Sequence, residues 1–466
     1  MKHLYKNRLA TGLMILGSLA LATGCMVGAK YNGTPAVATP EAFPQASVSD
    51  TAALMKWVDL YADTVLQRFI RTTLDSNRNL LAAAYRIEES REIAGIVRAN
   101  LYPSFGYQAQ AGGGNAGLDA RKIGAGIEGG ALRALGNINW EIDIWGRLRN
   151  NNQAAVARLL ADTENRNALV VSLVAEVASQ YFLLRDLDNR LDVAKKTLAV
   201  RKESTRIINE RFLKGYIAET DKLQAEQQEA LAAAAIPAFD RQIIVVQNAI
   251  RSLMGLGPGS LPRGNALFEQ TISPDIPVGL PAGLLTRRPD IREAANRLEA
   301  QFYNIGIAKA NLYPQFSLTG LLGFASPDLA TVVSGRGLVA NGFANLAGPI
   351  FQFGQNKRRI RVEELRTTQL TYAWEQTWLR ALGEVDNALA QYRTFNEEYT
   401  IRAAQTKAAQ KALQLTKAKY DYGYSSYYEV LIQENYLFDA ELAESVTFQQ
   451  RLNALVQLYR ALGGGW

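Results

Sequence analysis

The side chains able to carry covalent or acid–base chemistry are few in this chain, and they are poorly grouped. His3 is the only histidine and Cys25 the only cysteine. Both belong to a segment built like an export signal: Lys2, Lys6 and Arg8 are positive, Leu9 to Ala22 is apolar, and Gly24-Cys25 forms a processing site. Cleavage before Cys25 leaves a mature chain with no histidine and no free thiol. That removes Ser-His and Cys-His nucleophilic catalysis, disulfides and the usual zinc sites together. Carboxylate or lysine chemistry is left. Glu141 and Asp143, two residues apart, share one face of a strand-like segment, which is poor geometry for a dry core and natural for a face lined by water. An enzyme is the least favoured class, and no metal site or soluble cofactor is expected.

Leu21-Ala22-Thr23-Gly24-Cys25 resembles a bacterial lipobox, in which the cysteine is lipidated and becomes the first mature residue. By that resemblance Cys25 carries a covalent lipid, and Met26 in place of Asp suits sorting to the outer membrane; a plain secretory signal is the other reading. The net charge of +7, from 51 Lys and Arg against 44 Asp and Glu, includes Lys2, Lys6 and Arg8; without those three it is +4. No basic run marks a nucleic-acid surface, and Lys357-Arg358-Arg359-Ile360-Arg361 reads as a solvated helix end. Beyond the signal no apolar run of about 18 residues predicts a transmembrane helix, so any crossing of a membrane must be made by strands.

The elements that would position these groups come in two copies. Ala99-Asn100-Leu101-Tyr102-Pro103 returns as Ala310-Asn311-Leu312-Tyr313-Pro314, an offset of 211. Trp145-Gly146 returns as Phe353-Gly354, and Lys214-Gly215-Tyr216 as Tyr422-Gly423-Tyr424, at 208. Val174, Val177, Tyr181 and Leu184 align with Leu382, Val385, Leu389 and Tyr392 at the same 208. Ordered matches over this length mean one structural unit duplicated. The predicted organisation is a signal peptide at 1–24, a lipidated Ala/Pro-rich tether at 25–50, a first repeat at 51–257, a Pro-rich connector at 258–289 and a second repeat at 290–466. Each repeat reads as helix, two strands, very long helix, turn and long helix. The first helices are predicted at about Leu54–Asn100 and Asp290–Asn311.

Arg147 to Lys214 has neither Gly nor Pro over 68 residues, and Gln355 to Tyr422 has only Gly383. Helices of that length need side-by-side packing. Leu382, Val385, Leu389, Tyr392, Asn396, Tyr399 and Ala403 supply steps of three and four, as a coiled-coil seam requires. Four segments alternate like strands. Phe105, Tyr107, Ala109 and Ala111 oppose Gln108 and Gln110 in Pro103–Gly112. Ile138, Trp140, Ile142 and Ile144 oppose Asn139, Glu141 and Asp143 in Gly136–Trp145. Phe316, Leu318, Leu322 and Phe324 mark a third strand, and Phe343 to Phe353 a fourth, where Pro349 must sit at an edge, a bend or the start. Water on one face and lipid on the other explains the alternation, and a half-buried soluble sheet is the alternative. Four spanning strands cannot close a barrel, since the smallest have about eight, so the membrane reading requires several chains to share one.

The chain resembles the TolC/OprM-type outer-membrane efflux factors, in the NodT-like lipoprotein subgroup, over essentially its whole length. The resemblance rests on Cys25-Met26-Val27-Gly28, the paired Asn-Leu-Tyr-Pro turns and Trp140-Glu141-Ile142-Asp143-Ile144-Trp145-Gly146-Arg147-Leu148. It also rests on Leu280-Pro281-Ala282-Gly283-Leu284-Leu285, Arg287-Arg288-Pro289-Asp290-Ile291 and the ending Gly463-Gly464-Gly465-Trp466. It implies a mainly α fold with β: a homotrimer whose twelve-stranded outer-membrane β-barrel continues into a long periplasmic α-helical barrel. The partners implied are a periplasmic adaptor, an inner-membrane transporter of RND type and outer-membrane lipid, and the role is a passive exit duct for small molecules. Gly215, Tyr216, Gly423 and Tyr424 then mark the adaptor-contact tips. Asp221, Thr220, Tyr420 and Glu429 line the periplasmic aperture, Asp221 and Tyr420 as latches. Ser425 replaces a basic latch residue and Ile432 an acidic lining residue of relatives. Glu429, with Glu141 and Asp143 in the lumen, implies a modest cation preference. Two alternatives stay open, a duct for type I protein secretion and a periplasmic coiled-coil scaffold without a pore.

Overall fold

The computed structural model describes residues 26–28, 30–37, 56–111, 132–271, 283, 287–326 and 338–464. Cys25 and much of the expected tether lie outside the described residues. In chain order the elements are α1 (Trp57–Leu60), α2 (Thr64–Ser76), α3 (Arg78–Ala99), β1 (Ser104–Ala111), β2 (Leu132–Ile142), α4 (Arg147–Leu213) and α5 (Glu219–Leu253). A 3-10 turn at Leu267–Glu269 lies in the Pro-rich connector, followed by α6 (Pro289–Ala310), β3 (Gln315–Ser326), β4 (Leu338–Ala347), α7 (Gln355–Asp421) and α8 (Tyr427–Ala461). From the strands onward the duplication holds: α4 and α7 have 67 residues each, and α5 and α8 have 35 each, whereas among the described residues α1, α2 and α3 precede the first strand pair and α6 the second.

Two compact units emerge, and each draws on both repeats. The first takes the described residues within Met1–Ala36, Arg86–Thr163 and Glu293–Trp374; the second takes those within Val37–Tyr85, Glu164–Arg292 and Glu375–Trp466. The first unit holds one antiparallel sheet of order β1-β2-β3-β4. Its register is continuous, with Phe105 opposite Ile138, Ile138 opposite Gly320 and Gly320 opposite Gly342. Residues 26–28 and 30–36, expected as tether, pack within this unit, where the Tyr31 and Phe302 rings lie 5.4 Å apart.

The core sits in the second unit. Leu66, Ile70, Val177, Tyr181, Leu184, Ile250 and Val456 are each at most 1% exposed, so α2, α4, α5 and α8 share one apolar interior. The expected seam on α7 joins smaller packing: Val385 and Leu389 cluster with Leu458 and Leu462, while Tyr392 and Tyr399 lie against the larger core. One window of α4 has mean hydropathy 1.5, apolar enough in length and composition to span a bilayer, which the sequence pattern had not suggested. Its apolarity has a simpler origin, because Val171, Leu173, Val174, Val177 and Phe182 are buried in protein.

Three expected boundaries move. The single helix predicted from Leu54 is broken twice. Asp63 caps α2 by accepting from the Val65 amide at 2.8 Å. Asn77 ends α2 and starts α3, its side chain accepting from Asn79 and Leu80 amides while donating to the Leu253 carbonyl at 2.8 Å. The second strand stops at Ile142, short of Trp145, because Asp143 turns to cap α4. The fourth occupies Leu338–Ala347 and not Phe343–Phe353, because its neighbour β3 begins at Gln315, opposite Ala347.

Candidate functional site

Pairing fixes which side chains share a face, since directly opposed residues lie on the same side. Phe105, Tyr107, Ile138, Trp140, Leu318, Leu322, Ala340 and Leu346 therefore form one apolar face. Phe105, Tyr107, Leu322 and Leu346 are exposed there. The other face carries Ser104, Gln108, Gln110, Asn137, Asn139, Glu141, Thr319, Asn341 and Asn345, with Leu135, Leu321, Val339 and Phe343 as its large apolar members. Its polar groups also bond across strands, as between Thr319 Oγ1 and Asn139 Oδ1 at 3.2 Å.

At the end of β2 the two predicted lumen acids are both engaged. Arg147 forks onto Glu141, Nε to Oε1 at 3.0 Å and Nη2 to Oε2 at 2.6 Å. Asp143 lies beyond the strand and accepts the Leu148 and Arg149 amides at 3.0 and 2.8 Å, as a helix start requires. Arg149 Nε adds an ion pair to it at 3.2 Å. Both carboxylates thus secure the passage from strand to helix. Trp145 next to them stacks on Tyr313 at 4.6 Å, and its indole donates to the Pro314 carbonyl at 2.7 Å. Gly146 has φ +77, and a Cβ there would meet Met26 at 2.9 Å. The Val27 amide donates to the Trp145 carbonyl at 2.9 Å, so the residues directly after Cys25 are fixed at this junction.

In the second unit the hairpin turns match each other. Gly215 and Gly423 have φ +74 and +78, which only glycine adopts without cost. The Tyr216 amide reaches back to the Arg211 carbonyl and the Tyr424 amide to that of Lys419, so both helices end in the same closing motif. Leu213, Tyr216, Tyr422 and Tyr424 are each at least 75% exposed, giving the turns an apolar, aromatic tip. The return helices begin with acids, Glu219 and Asp221 on α5 and Glu429 on α8, favourably placed at helix N-termini.

The expected aperture residues do not all meet. Tyr420 stacks toward Tyr427, with ring centres 5.5 Å apart, and its phenol oxygen accepts a hydrogen bond from Arg211 Nη1. The Arg211 guanidinium lies 5.0 Å from the Tyr420 ring centre. Among the described residues the Asp221 carboxylate has no hydrogen-bond or ion-pair partner, and exposed Thr220 makes no side-chain bond. Ser425 donates to Glu429 Oε2 at 2.7 Å, and Ile432 is half-buried. Among the described residues no group of three or more His, Cys, Asp or Glu could hold a metal ion.

Sequence reasoning missed two arginines. Arg211, four residues before Gly215, reads in the sequence as one more charged residue of the polar run Asn209-Glu210-Arg211. Arg201 is 2% exposed and bonds the Gln228 carbonyl and Asn435 Oδ1, each at 2.7 Å, tying α4 to both return helices. Burial holds its guanidinium below the usual arginine range. Arg201 opens the polar run Arg201-Lys202-Glu203-Ser204-Thr205-Arg206, where nothing in the sequence separates it from exposed helix polars.

Comparison with known proteins fits this geometry. The chain is 29% identical over 463 residues to the cation efflux system protein CusC of Escherichia coli, covering 96% of this chain and 97% of that protein. It is 31% identical over 428 residues to the solvent efflux pump outer membrane protein SrpC of Pseudomonas putida, covering 90% and 89%. The open-state structure of the Neisseria gonorrhoeae MtrE outer membrane channel superposes with a TM-score of 0.84 at 29% identity, covering 95% of this chain and 98% of that one. The sequence model for outer membrane efflux proteins matches residues 69–256 and 280–464, and the chain belongs to the outer membrane efflux protein family.

Proposed function

We propose that this outer-membrane efflux channel is the passive exit duct of a tripartite pump, assembled as a homotrimer and anchored by a lipid on Cys25. The observation that carries the reading is the four-stranded sheet: one face is apolar, the other amide-lined, and β1 and β4 are left as edges. Unpaired edges are not tolerated in hydrocarbon, so copies must complete one another. Three copies give twelve strands enclosing water on the amide face. A lipid on Cys25 fits the placement of Met26 and Val27, which pack at the junction between β2 and α4.

The exposed aromatic turns of α4 and α7 suit docking to the helical hairpins of a periplasmic adaptor, with an inner-membrane transporter of RND type delivering cargo. CusC is named for cations and SrpC for solvents, so the cargo class inferred is small molecules or metal ions chosen by the pump. The test is purification followed by planar-bilayer recording. Heat-sensitive oligomer bands on gels and discrete conductance steps are expected; a monomeric, non-conducting protein would overturn the reading. Crosslinked co-purification from native membranes identifies the transporter.

A further inference from the structure

We infer that the sheet edges of neighbouring copies join in one register, Leu346 of β4 opposite the partner subunit's Ala109 of β1, and that Phe353 stacks on the partner subunit's Tyr102. The inference rests on the trimeric assembly proposed above and adds the residues that join it. It follows from the internal repeat, which is exact within the sheet. Advancing β1 by 211 and β2 by 208 carries the pair Ser104–Asn139 onto Gln315–Ala347, and Phe105–Ile138 onto Phe316–Leu346, both of which are observed. Pseudo-symmetry therefore also relates the one remaining junction, β4 with the next copy's β1, to the β2–β3 junction inside the chain. Advancing Ile138 by 208 and moving Gly320 back by 211 gives Leu346 opposite Ala109; Asn137–Leu321 becomes Asn345 opposite Gln110.

Faces supply an independent check. Leu346 and Ala109 both lie on the apolar face, and Asn345 and Gln110 both on the amide face. A slip of one residue would set apolar side chains against water across the whole seam. The same operation extends β4 past Ala347, setting Ile350 opposite the partner subunit's Phe105. That accounts for an isoleucine 102% exposed and a phenylalanine 79% exposed at the ends of unpaired edges.

The ring contact is carried too. Trp145 stacks on Tyr313 inside the chain, and their repeat counterparts are Phe353 and Tyr102. Phe353 is 88% exposed and Tyr102 59% exposed. Phe353 also has φ +47, the one described non-glycine residue in the left-handed region, a strained backbone, and its ring centre lies 4.7 Å from that of Phe351. Stacking on a second copy would offset that strain.

The test is oxidative crosslinking of double-cysteine variants in isolated outer membranes, with single variants controlling for Cys25. Ala109→Cys with Leu346→Cys should run as a covalent trimer on non-reducing gels. Ala109→Cys paired with Asn345→Cys, Ala347→Cys or Ala344→Cys should link at least about tenfold less, because disulfides need Cα atoms within about 7 Å and side chains on one face. Phe353→Ala should lower the temperature at which the trimer dissociates, while Phe343→Ala on the amide face should not. A trimer in which a shifted pair links best, or no pair links, overturns the register; an unchanged dissociation temperature for Phe353→Ala overturns the stack. A monomer by light scattering in detergent would instead sink the assembly on which both rest.

Discussion

Arg211 holds Tyr420 from within the same chain, donating to its phenol oxygen while the guanidinium lies 5.0 Å from the ring centre. The two residues belong to α4 and α7, so the contact joins the descending helices of the two hairpins at the tip. An exposed cation–π contact is worth about 0.5–1 kcal/mol, enough to shift a closed-to-open ratio about two- to fivefold. Arg211→Ala and Tyr420→Ala should each raise the resting conductance of the reconstituted protein by about that factor. Asp221→Ala should do the same if its unpartnered carboxylate meets a neighbouring copy. Bilayer recordings in which Asp221→Ala and Tyr420→Ala leave conductance unchanged would count against both as latches.

Glu141 and Glu429 differ in a way that separates structure from selectivity. Glu141 is forked by Arg147 and locally neutral, whereas the Glu429 carboxylate, among the described residues, bonds only the hydroxyl of Ser425. Glu141→Gln should leave the reversal potential in a salt gradient unchanged and cost about 1–2 kcal/mol of stability. Glu429→Gln should instead reduce cation preference with little effect on unfolding. The two readouts, taken on the same preparations, distinguish the roles.

Legibility followed the physics of each element. The long helices were readable because no Gly or Pro interrupts Arg147–Leu213, and their ends because Gly215 and Gly423 must take positive φ. The faces of β1 and β2 were readable from alternation, whereas β4 was not, since Phe343 shares the amide face with Asn341 and Asn345. Strand ends were not, because they depend on partners: Asp143 alternates correctly with Glu141 yet leaves the strand to cap α4, and β4 stops where β3 gives it no neighbour. The breaks at Asp63 and Asn77 were missed since capping residues in a long apolar pattern look like ordinary helix polars. Arg211 was missed because side-chain pairing across hairpins is a tertiary fact.

Asp63 should make the protein acid-sensitive. Its carboxylate accepts from Tyr181 Oη at 2.6 Å, Gln270 Nε2 at 2.8 Å and the Asn265 amide at 3.0 Å, besides capping α2. Burial favours its neutral form, but hydrogen bonds from Gln270, Tyr181, Val65 and Asn265 outweigh it and hold the group below the usual carboxylate range. A carboxylate with a depressed folded value contributes stability above its unfolded value of about 3.9, and that stability is lost as pH falls through the folded value. Asp63→Asn should therefore lower the thermal midpoint by a constant amount above about pH 5, with the gap narrowing below about pH 4. A gap independent of pH down to acid unfolding would mean the charge is not what matters.

Arg288 ties the Pro-rich connector to three helices through residues of the second unit. Its guanidinium pairs with Asp290 on α6 and Glu384 on α7, each at 2.7 Å, and donates to the Ala461 carbonyl at the end of α8 at 2.8 Å. Burial alone would depress its pKa, yet the bonds and charges of Asp290 and Glu384 raise it, so it stays charged in the fold. Removing it leaves two carboxylates facing each other without a cation. They are partly exposed, so Arg288→Ala should cost about 2–3 kcal/mol, below the range for a fully buried pair. Arg288→Lys should recover little, because the three donors of an ammonium on a single nitrogen cannot replace the four hydrogen bonds of the planar guanidinium. Adding Glu384→Gln to Arg288→Ala should restore part of the loss, since one unpaired charge is then gone. Tryptophan-fluorescence unfolding of the four proteins decides it: if the double variant is no more stable than Arg288→Ala, the damage lies in lost packing and not in stranded charge.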